Sequence, residues 1–422
     1  MHSLKGIIFS LRDVLAHKGK QDTKLLEEVV KLLKFLISKN VQPVLVTNRA
    51  WEIKLHSGKK EPFQQYLSGL VGQELPYYQG GVDMDFKQTR NAMETILKNH
   101  NWEASEVFYV GNTADDVKAA SNGVFPLLNA KWHEDNTPYG FTFKSPKEIA
   151  RFIDCCCLIP KDWFWSIEEE GLRVYSIAPL ASYSQRYPNG KIYSEEAKNS
   201  LKNNCGDLRF WGLLMAARIH LSGIGNEVNF VAPYPGHKTD SEKSVLMNGL
   251  HIIAGSLRVQ FVVDLIMRHT NAPKSQILRN QKQNPKISNQ LNSIQLNPTP
   301  IKPGGKNETY KNKPNIQYRT VLVVDDICTQ GYSLEAARIY LKAANANVIL
   351  LTWLKTPGKN NYHAVKCLDP QLKNPFKKNK YSEEKIKLSE YNFLSNVKNE
   401  HADREIAKAY KNYKNWEWPE SL

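Results

Sequence analysis

Four consecutive apolar residues, Val321-Leu322-Val323-Val324, run directly into two carboxylates, Asp325 and Asp326, and then into the turn Thr329-Gln330-Gly331-Tyr332-Ser333, which opens a helical pattern near Leu334. Such a run has no solvated face, so it is expected as a parallel strand covered by helices on both sides. The acids then stand at the carboxyl end of the strand, where open α/β sheets bind ligands. This segment alone restricts the chain to an α/β arrangement with a ligand-binding edge.

The rest of the sequence alternates in the same way. Gly6-Ile7-Ile8-Phe9, Val41 to Val46 and Val107 to Val110 read as strands, separated by helical patterns at Leu25 to Leu36 and Asn91 to Lys98. A second alternating region has helices expected at Leu208 to His220, Ser244 to Met267 and Leu334 to Ala343, with strands at Val228 to Ala232, Val321 to Val324 and Val348 to Trp353. Alternation of this kind builds doubly wound parallel sheets, and 422 residues accommodate two of them. The expected division is 1–155 for the first domain, 156–172 for a linker, 173–360 for the second domain and 361–422 for a helical tail docked by its aromatic residues. Residues 280–318 are rich in Asn, Gln, Lys and Pro and are expected as a flexible polar loop.

The net charge is +15, and residues 268–320 hold ten Lys/Arg against a single acid, Glu308. That concentration asks for an anionic partner, whether a polyphosphate or a nucleic acid. The six cysteines form no paired C-x-x-C sets and are expected as reduced structural thiols. No apolar run approaches the roughly 20 residues of a membrane helix, so no membrane association is expected, and a cytoplasmic location is the expectation.

The turn at 329–333 has the chemistry of a phosphate cradle, with Gly331 allowing close approach and Ser333 suited to cap the following helix. Two acids just before it cannot favour phosphate by charge, so they are expected to face hydroxyls or a metal; a sugar phosphate satisfies both halves. The segment resembles the PRPP-binding signature of type I phosphoribosyltransferases. The order of Gly206-Asp207-Leu208, Val231 to Lys238, Arg268 to Gln276, the acidic segment and Ala346-Asn347-Val348 resembles the competence-protein-F group of that superfamily. The resemblance covers about 173–357. It implies Asp325 and Asp326 as the catalytic acids on the ribose hydroxyls, and Thr329, Gln330, Gly331, Tyr332 and Ser333 as the rest of the PRPP site. It further implies Pro235, Gly236, His237, Lys238, Arg268 and Lys274 around pyrophosphate, with Mg²⁺ accompanying PRPP and no metal ligand assigned directly. Gln330 stands where the family often has a second threonine. The family's Arg-Gly-Phe-Asn run is absent, with Ser244 to Asn248 near its place.

The first domain resembles haloacid-dehalogenase-type (HAD-like) hydrolases. Ile7 to Leu15 aligns with the nucleophile strand, Val44 to Asn48 with the second motif, Lys87 with the third and Val110 to Asp116 with the fourth. That family uses an aspartate nucleophile and a second aspartate two residues later. Here these positions are Ser10 and Arg12, and Asn112 replaces the first acid of the fourth motif. A hydroxyl does not hold Mg²⁺ as a carboxylate does, and arginine does not shuttle protons at neutral pH. The expectation is a degenerate pocket of Ser10, Arg12, Thr47, Lys87, Asn112 and Asp116 without phosphatase turnover. Arg12 beside Lys87 would make it an anion sensor; a structural platform is the plainer expectation.

The fold expected is thus a HAD-like Rossmannoid domain followed by a phosphoribosyltransferase-type domain and a helical tail. The leading functional expectation is an enzyme, a transferase moving 5-phosphoribosyl from PRPP to a small-molecule acceptor with release of pyrophosphate. The alternative is a binding module of the same fold without turnover, used in DNA handling or phage defence. Nucleic acid, through the basic 268–320 segment, and a second copy of the chain are the further partners considered.

Overall fold

The computed structural model describes residues 3–17, 23–54, 58–160, 162–203, 207–237, 250, 253–255, 257, 259–273, 284–302, 308–420 and 422. Its frame is two six-stranded sheets. In the first, the strands lie in the order Tyr77–Gln79, Gln42–Thr47, Gly6–Ser10, Val107–Gly111, Leu127–Ala130 and Phe141–Phe143, every pair parallel. All five residues of Gly6–Ser10 are buried, as an uninterrupted apolar strand in the middle of such a sheet requires.

The second sheet has the order Gln260–Phe261, Phe230–Pro233, Thr320–Cys328, Asn347–Lys355, Leu172–Pro179 and Trp165–Glu169. Its pairs are parallel except the last, which is an antiparallel hairpin. The segment 156–172 therefore contributes Trp165–Glu169 to this sheet. Residues 280–318 contain, among those described, the helix Ile287–Leu291 and the strand Ile294–Leu296. The tail combines an antiparallel pair, Tyr362–Leu368 with Ile386–Tyr391, and the helix Ala402–Lys414.

One expected helix is corrected. The stretch Ser244 to Met267 is helical at 253–255, but Gln260–Phe261 joins the second sheet and Ile266–Arg268 pairs with Ile294–Leu296. The run Val259-Gln260-Phe261-Val262-Val263 is rich in β-branched residues, and bringing Phe261, Val262 and Ile266 into the core outweighs its helical spacing.

The helix Leu208–Leu221 is buried on nearly every side because it lies between the two sheets. His220 Nε2 donates to the Val107 carbonyl of the first sheet (2.8 Å), and the Trp211 carbonyl accepts from Trp353 Nε1 of the second (3.0 Å). The tail seals this joint. Tyr410 and Tyr413 pack on Phe210 with ring centroids 5.4 and 5.2 Å away, and Trp416 meets Phe35 edge-on while its Nε1 donates to Asp154 (2.9 Å). One apolar cluster runs through both sheets and the tail. Trp211→Ala opens a cavity in that joint and is expected to cost about 3–5 kcal/mol in urea denaturation. Tyr183→Ala, at a side chain 98% exposed, is expected to change stability by less than about 0.5 kcal/mol.

Candidate functional site

The acids predicted from sequence sit at the carboxyl edge of the second sheet. Thr320–Cys328 pairs with Phe230–Pro233 only as far as Val324, whereas its pairing with Asn347–Lys355 continues through Asp325 opposite Thr352 to Cys328 opposite Lys355. Asp325 and Asp326 are half-buried at this step. Asp325 Oδ1 accepts from the Asp326 amide (2.9 Å), and Asp326 Oδ1 from the Ile327 amide (2.6 Å). Both carboxylates are thus held by the main chain at the point where one neighbouring strand departs.

The turn that follows is fixed from behind. Thr329 O accepts from Lys355 Nζ (2.6 Å), Gln330 O from the His363 amide (3.0 Å) and Gly331 O from the Glu335 amide (2.8 Å). Peptide planarity sends the N–H groups of Gln330 and Tyr332 the opposite way, away from the packed side. Gly331 has φ 83°, and a Cβ there would stand 2.2 Å from the Tyr362 ring, so glycine is required on both counts. Tyr362 is itself anchored, its hydroxyl donating to the fully buried Glu335 (2.7 Å), which also accepts from Arg338 Nε (2.9 Å) and the Val365 amide (2.7 Å). The helix runs Tyr332–Ala343 with Gly331 as its N-cap and no side-chain cap. Ser333 is therefore inside the first turn, a correction to its expected capping role: the left-handed glycine starts the helix two residues early.

Of the residues assigned to pyrophosphate, Pro235, Gly236 and His237 leave the same edge from the adjacent strand, and the Tyr234 amide donates to Val324 O (2.9 Å). Arg268 has another task. It is buried, and its guanidinium donates to Gly236 O, Ser293 Oγ, Tyr234 Oη (3.3 Å), Pro235 O (3.4 Å) and Gln290 Oε1 (3.1 Å). These bonds engage all of its nitrogens in holding the 234–236 loop, so its expected contact with a ligand is replaced by support of the loop. Burial pushes the Tyr234 phenol up to about 12, partly offset by Arg268 and reinforced by Asp325, which places loop and acid in electrostatic reach of each other. Lys238 and Lys274 lie outside the described residues. A cavity of about 580 Å³ opens beyond Thr356, lined by Ser184, Arg186, Pro357, Gly358, Lys359 and Asn361 among others. Thr356 Oγ1 is 3.2 Å from Thr329 Oγ1. Sequence reasoning missed Lys355, Glu335 and Tyr362. The available signal was a lysine closing the apolar strand that begins at Val348.

The carboxyl edge of the first sheet is arranged differently. Ser10, Thr47, Lys87, Asn112 and Asp116 are all buried. Lys87 Nζ donates to Asp116 Oδ1 (2.6 Å) and Ser10 Oγ (2.8 Å). Asp116 Oδ2 accepts from Asn112 N (3.0 Å), Thr113 N (2.9 Å) and Thr113 Oγ1 (2.7 Å). Thr47 Oγ1 is engaged by Arg49 and by Trp51 Nε1 (3.2 Å), and Asn112 ties down the chain at Glu134 O (2.6 Å) and Asn136 N (3.3 Å). Arg12 stands apart, its side chain 67% exposed and paired with Asp13 (3.3 Å). The anion-sensor reading of Arg12 beside Lys87 is therefore corrected: the lysine is spent on a buried pair and the arginine faces solvent. Burial alone would raise the Asp116 carboxyl, but Lys87 and the bonds from Asn112 and Thr113 outweigh it and hold the group below its ordinary value. Ser10 and Asn112 present neutral oxygens here. Among the described residues no group of three His, Cys, Asp or Glu side chains could hold a metal ion, and this edge does not fit Mg²⁺.

No family model matches the chain, and no curated protein matches it. About a third of the chain, at the amino-terminal side, is similar to solved HAD-like structures. One is the cobalt-bound deoxy-D-mannose-octulosonate 8-phosphate phosphatase of Haemophilus influenzae (14% identity, 36% of this chain and 87% of that one, TM-score 0.26). Another is the 3-deoxy-D-manno-octulosonate 8-phosphate phosphatase of Moraxella catarrhalis with magnesium, phosphate and KDO (14% identity, 36% and 86%, TM-score 0.25). A third is the putative HAD superfamily (subfamily III A) hydrolase of Legionella pneumophila (17% identity, 32% and 68%, TM-score 0.23). These structures are hydrolases by description, and none of the three is a phosphoribosyltransferase. The expected assignment of the chain as a transferase enzyme is corrected on that finding and is not carried forward. No helix among the described residues is long and apolar enough to cross a membrane.

The buried Lys87–Asp116 pair generates two expectations. Lys87→Met leaves an unpaired buried carboxylate and is expected to cost about 3–5 kcal/mol by chemical denaturation. A carboxyl held low in the folded state contributes stability at neutral pH that is lost as pH falls through its folded value. Asp116→Asn is therefore expected to be less stable than wild type at pH 7, with the gap narrowing on acidification below the ordinary carboxylate range in denaturation series at several pH values.

Proposed function

We propose that the carboxyl edge of the second sheet binds a phosphorylated pentose of the PRPP type, and that the chain acts as a binding module without turning this ligand over. The observation that carries the reading is the juxtaposition of Asp325 and Asp326 with the 329–333 turn, at a step where one neighbouring strand ends and the other continues. The acids are placed to accept from sugar hydroxyls. The inward-held carbonyls of the turn aim main-chain N–H groups, at the start of the helix Tyr332–Ala343, toward a phosphate. The 235–237 loop, leaving the adjacent strand, is the second wall. Mg²⁺ enters this reading only as the counter-ion of a diphosphate-bearing ligand.

Isothermal calorimetry with ribose 5-phosphate tests the assignment. Asp326→Asn removes a charged acceptor and is expected to weaken binding by about 1.5–3 kcal/mol, roughly ten- to a hundredfold in Kd. Unchanged affinity in that variant counts against the site, and release of pyrophosphate from PRPP incubated with the protein counts against a module without turnover.

A further inference from the structure

Lys355 ends the strand Asn347–Lys355 at the same edge, and none of its surface is exposed. Its ammonium donates to three main-chain oxygens: Thr329 (2.6 Å), Asn360 (2.6 Å) and Thr356 (3.3 Å). It also lies 5.3 and 5.5 Å from the ring centres of Trp165 and Phe393. Among the described residues it pairs with no carboxylate. Of the other buried cations among the described residues, Lys87 has Asp116 and Arg338 has Glu335. Arg268 and Arg218 are delocalised guanidiniums, the first with a full set of acceptors and the second donating to the Pro160 and Asp162 carbonyls. Lys355 is the compact ammonium held by carbonyls alone.

A compact ammonium taken out of water without a counter-ion is costly, and carbonyl dipoles and ring faces compensate only part of that cost. A plain structural strut at this position could be an uncharged side chain. What the charge adds is a positive potential directly behind the turn, together with a bond that fixes the Thr329–Gln330 peptide with its oxygen inward.

We propose that Lys355 is the positioning residue of the phosphate turn and that the phosphate of a bound sugar ester supplies its missing counter-charge. This inference rests on the reading of the site given above. Lys355 holds Thr329 O, the planar peptide turns the Gln330 N–H outward, and the anion that this N–H meets neutralises the lysine across the turn. Its grip on Asn360 O ties the same turn to the loop lining the neighbouring cavity.

The electrostatics give a signature that packing alone does not. Burial lowers the Lys355 ammonium to about 8. The titratable groups facing it are Cys328 on the adjacent strand, whose thiol burial pushes up to about 11, and His363 on the next strand, whose imidazole burial holds below its ordinary value. Asp325 and Glu335 bear on Cys328 in turn. Neither the thiol nor the imidazole changes charge between pH 7 and 9, and a phosphate ester, with its second pKa near 6, is a dianion throughout. Loss of the lysine's proton is then the event that weakens anion binding.

The experiment is calorimetry of the full chain with ribose 5-phosphate at intervals from pH 7 to 9, on wild type and Lys355→Met, with circular dichroism confirming the fold at each pH. Wild-type affinity is expected to fall about fivefold over that range as the fraction of charged lysine drops. Lys355→Met is expected to bind about tenfold more weakly at pH 7, with a flat profile. A flat wild-type profile with binding intact overturns this inference and leaves the site standing; it needs no variant, so a misfolded Lys355→Met does not obscure it. Equal profiles in the two proteins overturn it likewise. Failure of folded wild-type protein to bind ribose 5-phosphate at pH 7 overturns the reading of the site itself, and this inference with it.

Discussion

The strand Thr320–Cys328 keeps its partner on one side through Cys328 and loses the other after Val324, and the character of the second domain follows from that mismatch. A fully paired strand end offers a ligand nothing but covered peptide groups. Here the short neighbour Phe230–Pro233 ends opposite Val324, one residue before Asp325. The groups left without a ladder partner must be satisfied by other means. The carboxylates of Asp325 and Asp326 take the next amides, while Lys355, His363 and Glu335 take the carbonyls of the turn or brace it.

The two sheet edges carry similar residue types to opposite ends. At the first, a lysine, a carboxylate and a hydroxyl are drawn into one buried network whose members satisfy one another, and the chain around Glu134 to Asn136 is laced over it by Asn112. At the second, acids and turn are half-buried and the cation stays behind the main chain, bonded only to carbonyl dipoles. Charge compensation is complete within the first edge and incomplete within the second. That difference, more than the identity of the residues, distinguishes the two edges.

Local patterns in the sequence were a good guide where one interaction dominates. Uninterrupted apolar runs such as Val321 to Val324 and Gly6 to Phe9 became central parallel strands, because a strand with no polar face has nowhere else to go. The acids followed by a Gly-containing turn were legible because glycine in a left-handed conformation is a local requirement. The pattern failed where tertiary contacts decide. Residues 260–268 have helical spacing but β-branched composition, and the vacant edge beside Phe230–Pro233 recruits Gln260–Phe261 as strand while Ile266–Arg268 pairs with Ile294–Leu296. Arg268 reads as a ligand cation in sequence, yet its acceptors Gln290 and Ser293 come from a segment more than twenty residues away. Lys87 and Asp116 remained where the motif spacing put them, but their mutual neutralisation depends on a distance of 2.6 Å that no spacing reports. Lys355 was invisible for the same reason: a lysine at a strand end is ordinarily solvated, and only the assembled loops bury it.

The helix Leu208–Leu221 and the aromatic residues of the tail form a party wall shared by both sheets, with His220 bonded to one and the Trp211 carbonyl bonded to the other. Neither half owns that wall. A boundary drawn anywhere between the sheets would strand Phe210, Trp211 and Tyr413 on a bare face, so neither half keeps a closed core without the other. Recombination that exchanged one half for a relative's would have to bring matching masonry with it. Sequence drift on one side of the wall is accordingly constrained by what stands on the other.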